Sequence, residues 1–250
     1  MKIQYLVPSL AVALLAAGAA QAQSANNSQT NRANVRAQLN TTISDVTGSV
    51  SATSASIGNS ATIQGASATG ISNFQDFNGV TTASLNATVR DVSDDVALTS
   101  AAIGNSATIE GDSIGRTSNY QRFWGDAQSH LNATIEDVNG DVAVTSAAIA
   151  NSATISAGEW GGTISNTQYA AYDPTATLNA TVSDVGGDVS ATAAAISNSA
   201  TIDAALGSLN SNQVNQAAVN ATVSTTMRDV SGAVSVTSAA IGNSLTVTGF

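Results

Sequence analysis

Leu85-Asn86-Ala87-Thr88-Val89-Arg90-Asp91-Val92, running on to Thr99-Ser100-Ala101-Ala102-Ile103-Gly104-Asn105-Ser106-Ala107-Thr108-Ile109, decides the fold, because the chain repeats it. It recurs with few changes from Leu39, Leu131 and Leu178, and in altered form from Val219. The aspartates Asp45, Asp91, Asp137, Asp184 and Asp229 are 46, 46, 47 and 45 residues apart. A second marker keeps this frame: Asn27-Ser28-Gln29, Asn73-Phe74-Gln75, Asn119-Tyr120-Gln121 and Asn166-Thr167-Gln168. Five units therefore fill residues 23–250, at approximately 23–65, 66–111, 112–157, 158–204 and 205–250. A fixed period of this length marks an array in which each unit buries its apolar face against its neighbours.

Each unit contains the triplet Ala-Thr-Val/Ile twice, as at Ala87 to Val89 and Ala107 to Ile109. The local pattern has period two: Leu178, Ala180 and Val182 share one face, while Asn179, Thr181 and Ser183 take the other. Ile196, Asn198, Ala200 and Ile202 repeat the alternation. Thr, Val and Ile favour strands. Asp-Val-Asn-Gly-Asp (137–141) and Asp-Val-Gly-Gly-Asp (184–188) mark turns, where Asp and Gly supply local hydrogen bonds and positive φ. The expected fold is all-β, a β-solenoid of about ten coils, two per 46-residue unit. Its rod would be about 48 Å long at about 4.8 Å per coil. The alternative is a sandwich of β-hairpins closed at the Asp-Gly turns.

Residues 1–22 read as a signal peptide: Lys2 is the positive start, Leu6 to Ala17 the apolar stretch, and Ala20-Gln21-Ala22 the small-x-small cleavage site. The apolar run is shorter than the about 18 residues a spanning helix needs, so the mature chain is expected to begin at Gln23. Without Lys2, six Arg face seventeen Asp and Glu, which disfavours nucleic-acid binding. With 43% hydrophobic and only 10% charged residues, the chain is not an ordinary solvated disordered protein. At 4% aromatics, many thin similar layers suit it better than one large core.

Ile57-Gly58-Asn59-Ser60-Ala61-Thr62-Ile63-Gln64-Gly65 resembles a curlin-type repeat, in which Asn, a small residue, an aliphatic and Gln recur on successive strands. Gln64 becomes Glu110, Ser156, Asp203 and Thr248 in the other units, so the regular Gln of curlins is mostly lost. An export signal joined to repeats rich in Ala, Ser, Thr and Asn is also similar to the holdfast-anchor surface proteins of stalked bacteria. Ala-Ile-Gly-Asn-Ser, at 102–106 and 240–244, resembles the head repeats of trimeric autotransporter adhesins. These resemblances imply a matrix or attachment role.

His130 is the single histidine, there is no cysteine, and no lysine follows Lys2. That excludes most nucleophile and base arrangements, so no enzyme and no catalytic residue is expected. Asp91 and Asp95, Asp137 and Asp141, and Asp184 and Asp188 bring carboxylates together at the turns, an oxygen-rich set of the kind calcium takes. Their spacing matches neither an EF-hand nor the calcium nonapeptide, and turn chemistry is the preferred reading. Apart from calcium, no cofactor is expected. Asn-x-Thr at Asn40, Asn86, Asn132, Asn179 and Asn220 reads as strand sequence and not as glycan acceptors.

Asn59, Asn105, Asn151, Asn198 and Asn243 share parity with neighbouring aliphatics, so they should face inward and form a ladder of amides. Phe77, Tyr120, Trp124, Trp160 and Tyr172 fall between the well-matched blocks and are candidate partner contacts. The expectation for the whole is a secreted structural or adhesive protein of a bacterial cell surface or matrix, forming or anchoring a fibre, biofilm matrix or holdfast-type attachment. It would self-associate end to end, with polysaccharide or other cell-surface proteins as further partners. The alternative is a discrete polysaccharide-binding module.

Overall fold

The structure is a computed structural model that describes residues 23–249. Segment 1–22, on which the export reading rests, lies outside the described residues. The chain forms β1 (Gln23–Asn31), β2 (Val35–Val46), β3 (Val50–Phe77), β4 (Thr81–Val92), β5 (Val96–Phe123), β6 (Ala127–Val138), β7 (Val142–Ala170), β8 (Pro174–Val185), β9 (Val189–Asn215), β10 (Asn220–Val230) and β11 (Val234–Thr248). Short strands alternate with long ones, separated by three-residue corners such as 93–95 and 124–126.

All the strand pairings are parallel, in two sheets ordered β1-β3-β5-β7-β9-β11 and β10-β8-β6-β4-β2. This is the all-β solenoid, and antiparallel hairpins of a sandwich are absent among the described residues. The coil is twice the expected size. Leu85 lies opposite Leu131 and Ala107 opposite Ala153, so one 46-residue unit makes one coil, and five coils replace the expected ten. Six strands of the long sheet span about 24 Å, half the expected rod. The two Ala-Thr-Val/Ile triplets occupy the short and the long strand of a single coil. Each faces an apolar interior of its own, the first between the short and long strands and the second in the fold-back, which selects small and aliphatic residues twice per turn.

At the next-to-last residue of each short strand, just before the corner, an aspartate takes positive φ: Asp45, Asp91, Asp137, Asp184 and Asp229, between 50° and 57°. This left-handed conformation is open to Asp because its short polar side chain bonds locally. The glycines expected to share that role do something else. A Cβ at Gly140, Gly187 or Gly232 would strike the carboxylate of Asp95, Asp141 or Asp188 in the preceding coil. Those carboxylates accept the N–H groups of Asp141, Asp188 and Ala233, at 2.9, 2.8 and 2.7 Å.

The long strands fold back within the coil: Asn105 Nδ2 donates to the carbonyl of Arg122 at 2.8 Å, and Phe123 lies against Gly104. Strand parity breaks just before the asparagine. Gly104 and Asn105 are both buried, as are Ala150 with Asn151 and Ser197 with Asn198. Ile103, Ile149 and Ile196 consequently face outward, half-buried, which corrects the single alternation read from Ile196 to Ile202. One apolar cluster, with Leu85, Val89, Leu98 and Phe123, fills the space between the short strand and the start of the long one. A second, with Ile109, Ile114, Ile155 and Ile164, fills the fold-back. The frame of the last unit also differs from its sequence likeness. Ser224, not Asn220, lies opposite Asn179, because Val219 to Val223 enters the sheet four residues early.

Candidate binding surfaces

Four columns of amides run along the solenoid, each made by one residue per coil. In the first, Asn59, Asn105, Asn151, Asn198 and Asn243 bond in series, Nδ2 to Oδ1, at 2.8 to 2.9 Å. The second N–H of Asn59, Asn105, Asn151 and Asn198 reaches the carbonyl of Asp76, Arg122, Tyr169 and Val214 across the fold-back. Both donors of the amide are thereby used, and Asn105, Asn151 and Asn198 are fully buried. Asn243, in the last coil, is exposed.

Two buried columns were present in the sequence only as a frame marker. Asn27, Asn73, Asn119 and Asn166 bond in series at 2.6 to 2.8 Å. Gln29, Gln75, Gln121, Gln168 and Gln213 do so at 2.7 to 2.9 Å, and each of their Nε2 groups also takes a backbone carbonyl, such as Gln121 on Ser152. The signal that reveals them is the recurrence of Asn and Gln two residues apart, on one parity, in four of the five frames, with Ser211 before Gln213 in the fifth.

The fourth column is on the outside. Asn86 donates to Asn40, Asn132 to Asn86 and Asn179 to Asn132, at 2.7 to 2.9 Å, on the solvent face of the short-strand sheet. Thr42, Thr88, Thr134 and Thr181 form a parallel row beside it. Between the rows runs a groove of about 590 Å³. Its floor is the backbone of Ala87, Ala133 and Ala180, whose methyl groups point inward between the larger Leu85 and Val89 and their counterparts.

The aromatics separate into two groups. Phe77 is fully buried and stacks on Phe123 at 5.7 Å, so it is core and not a partner contact. Its physical cause is the small residue facing it, since Gly58 leaves room for the ring. Tyr120 stacks on Phe74 at 5.4 Å and is half-buried. Trp124, 37% exposed, packs against Tyr169 and Tyr172, the latter 51% exposed. Arg122 lies 5.7 Å from the Trp124 ring centre and grips Asp76 through two hydrogen bonds of 2.9 and 2.7 Å. The hydrogen bond to Asp76 holds the Arg122 guanidinium above its ordinary pKa, against the opposing effect of burial. The side chain of Trp160 lies outside the described residues.

The turn carboxylates sit in two rows. Asp95, Asp141 and Asp188 are engaged with backbone N–H groups, as above, and Asp91, Asp137 and Asp184 line a groove at the corner. No cluster of three or more acidic or histidine side chains able to hold a metal occurs among the described residues.

Residues 90–250 match the family model of HfaD, holdfast attachment protein D. The chain belongs to this family. Family membership gives it an adhesive role at the cell surface or outside the cell, in a family of attachment and not of catalysis. The HfaD match takes in the Trp124 corner, the greater part of the buried Asn column, and the outer groove from Asn132 onward. Neither the curated proteins nor the solved structures contain a match to the chain.

Proposed function

We propose that this HfaD member is a secreted stacking unit, released from its signal near Ala22, whose coils continue from one copy to the next to form or anchor an extracellular fibre or holdfast matrix. The observation that carries this reading is the last described coil. Val234, Val236 and Leu245 occupy inward positions, opposite Val189, Ala191 and Ala200, yet are 50%, 49% and 44% exposed. An open parallel edge with an apolar interior row is a template for another strand, and the 46-residue register means that another copy offers the same pattern. The Trp124 and Tyr172 corner supports a lateral contact with other cell-surface proteins, since exposed aromatics of this size are costly to leave in water.

Electron microscopy and fibre diffraction of purified residues 23–250 at rising concentration test the reading. The expected result is unbranched filaments with an axial repeat of about 4.8 Å, abolished by Val236→Lys. A chain that stays monomeric at every concentration overturns it.

A further inference from the structure

Two asparagines of the chain precede a glycine, Asn78 before Gly79 and Asn139 before Gly140. A glycine leaves the side-chain carbonyl carbon of the residue before it open to attack by the glycine's own backbone nitrogen, since no Cβ stands in the way. Both pairs sit in corners, Asn78 between β3 and β4 and Asn139 between β6 and β7, and both asparagines are exposed. Among the described residues neither asparagine side chain takes a hydrogen-bond partner, and neither glycine N–H does. The asparagines of the buried column are the opposite case: Asn105 and Asn151 have both side-chain N–H groups engaged and lie in extended strands. The corner pairs carry no such restraint.

The preceding coil separates the two corners. Beside Asn78 it presents a neutral amide: Asn34 Oδ1 accepts the N–H of Val80, the residue after Gly79, at 2.9 Å. Beside Asn139 the acceptor is a carboxylate: Asp95 Oδ1 accepts the N–H of Asp141, the residue after Gly140, at 2.9 Å, and lies where a Cβ of Gly140 would stand. Asp94, Asp137 and Asp141 add further negative charge to that corner. Around Asn78 the charged groups are Arg32, at the equivalent corner position of the preceding coil, Asp126 in the following one, and Asp76, which Arg122 already pairs. The glycine nitrogen attacks after losing its proton, and a carboxylate at contact distance opposes the negative charge that forms.

We infer that Asn78 is a site of spontaneous deamidation, and that Asn139, with the same Asn-Gly pair, is held back by Asp95. Gly79 N gives its proton to water and bonds to Cγ of Asn78. The Cγ–Nδ2 bond breaks, and the leaving nitrogen takes up a proton and departs as ammonia. The cyclic imide then adds one water. Opening at Cγ gives aspartate, and opening at the backbone carbonyl gives isoaspartate, whose chain runs through the former side chain. Either product places a carboxylate at this corner, and isoaspartate also lengthens the backbone between β3 and β4.

The test is peptide mapping by mass spectrometry of the full purified chain during prolonged incubation at neutral pH. Asn78 is expected to lose its amide at least about fivefold faster than Asn139, the least that one unit charge at contact distance exerts in water. In the guanidinium-unfolded chain the two rates should converge. Asp95→Asn keeps an acceptor for the Asp141 N–H and removes the charge, so it should speed deamidation at Asn139 by about the same factor, with circular dichroism unchanged. Equal rates at the two sites in the folded chain, an intact Asn78 amide, a difference that persists after unfolding, or an Asn139 rate unmoved by Asp95→Asn overturns the inference.

Discussion

The pairing of a small residue with a ring inside the fold-back shows how tightly single positions are coupled. Gly58 makes room for Phe77 and Gly104 for Phe123. At the equivalent positions of the next coils stand Ala150 with Ala170, then Ser197 with Asn215, whose side chains are hydrogen-bonded at 2.9 Å. The chain has changed both members together each time. Gly104→Ala alone should overpack against the Phe123 ring and the Ala150 carbonyl, at about 1–3 kcal/mol. Phe123→Ala alone should cost about 3–5 kcal/mol. The double variant recreates the pair already present one coil on, so urea unfolding should find it less destabilised than the sum by at least about 1 kcal/mol. Simple additivity would show that the two sites do not share one space.

For the strand as an element, parity is what the sequence made legible and also where it misled. The inward placement of Leu85, Ala87 and Val89, and of Asn105 with Ala107 and Ile109, follows from period two alone. The step at Gly104 and Asn105, where two consecutive residues face inward, carries no such signature, since it recurs at Ala150 with Asn151 and at Ser197 with Asn198 and no single residue type marks it. The outer Asn row was visible as a recurring Asn-x-Thr, but not as a groove, because the alignment of its rungs depends on the register between coils. Position along a strand, not residue type, should then set the energetic weight of an asparagine. Asn105→Leu deprives Asn59 of its acceptor and the Arg122 carbonyl of its donor, each at about 1–3 kcal/mol. Asn86→Leu, on the solvent side, should cost under about 1 kcal/mol, as most surface changes do. Equal losses in thermal melts would mean that the buried column has no special standing.

Taken as a whole molecule, the solenoid is a sum of like layers, and its size is the feature the sequence left open. A 46-residue period fits one large coil or two small ones, and only the register of Leu85 on Leu131 decides between them. Removal of 81–126 should join β2 and β3 directly to β6 and β7 with every inward residue still in place, giving a shorter protein that melts cooperatively at a lower temperature. Removal of 81–103, half a unit, should destroy the fold, because a short strand would then meet the middle of a long one. Circular dichroism of the two deletions checks both outcomes, and a folded half-unit deletion would restore the ten-coil arrangement.

The amide columns also give the rod a head and a tail. Those begun by Asn59 and Asn27 point their N–H groups toward higher residue numbers, while the Gln column and the outer Asn column point theirs toward lower ones. The opposed directions offset one another as dipoles, so no net field builds up along the axis. Wherever a given column is interrupted, however, one side presents a donor and the other an acceptor. Two copies meeting face to face by a twofold axis would set donor against donor, or acceptor against acceptor, in any column that met its own counterpart. Addition in one sense, each copy following the last, sets each column's donor against the same column's acceptor, and an assembly made that way is vectorial and does not close on itself.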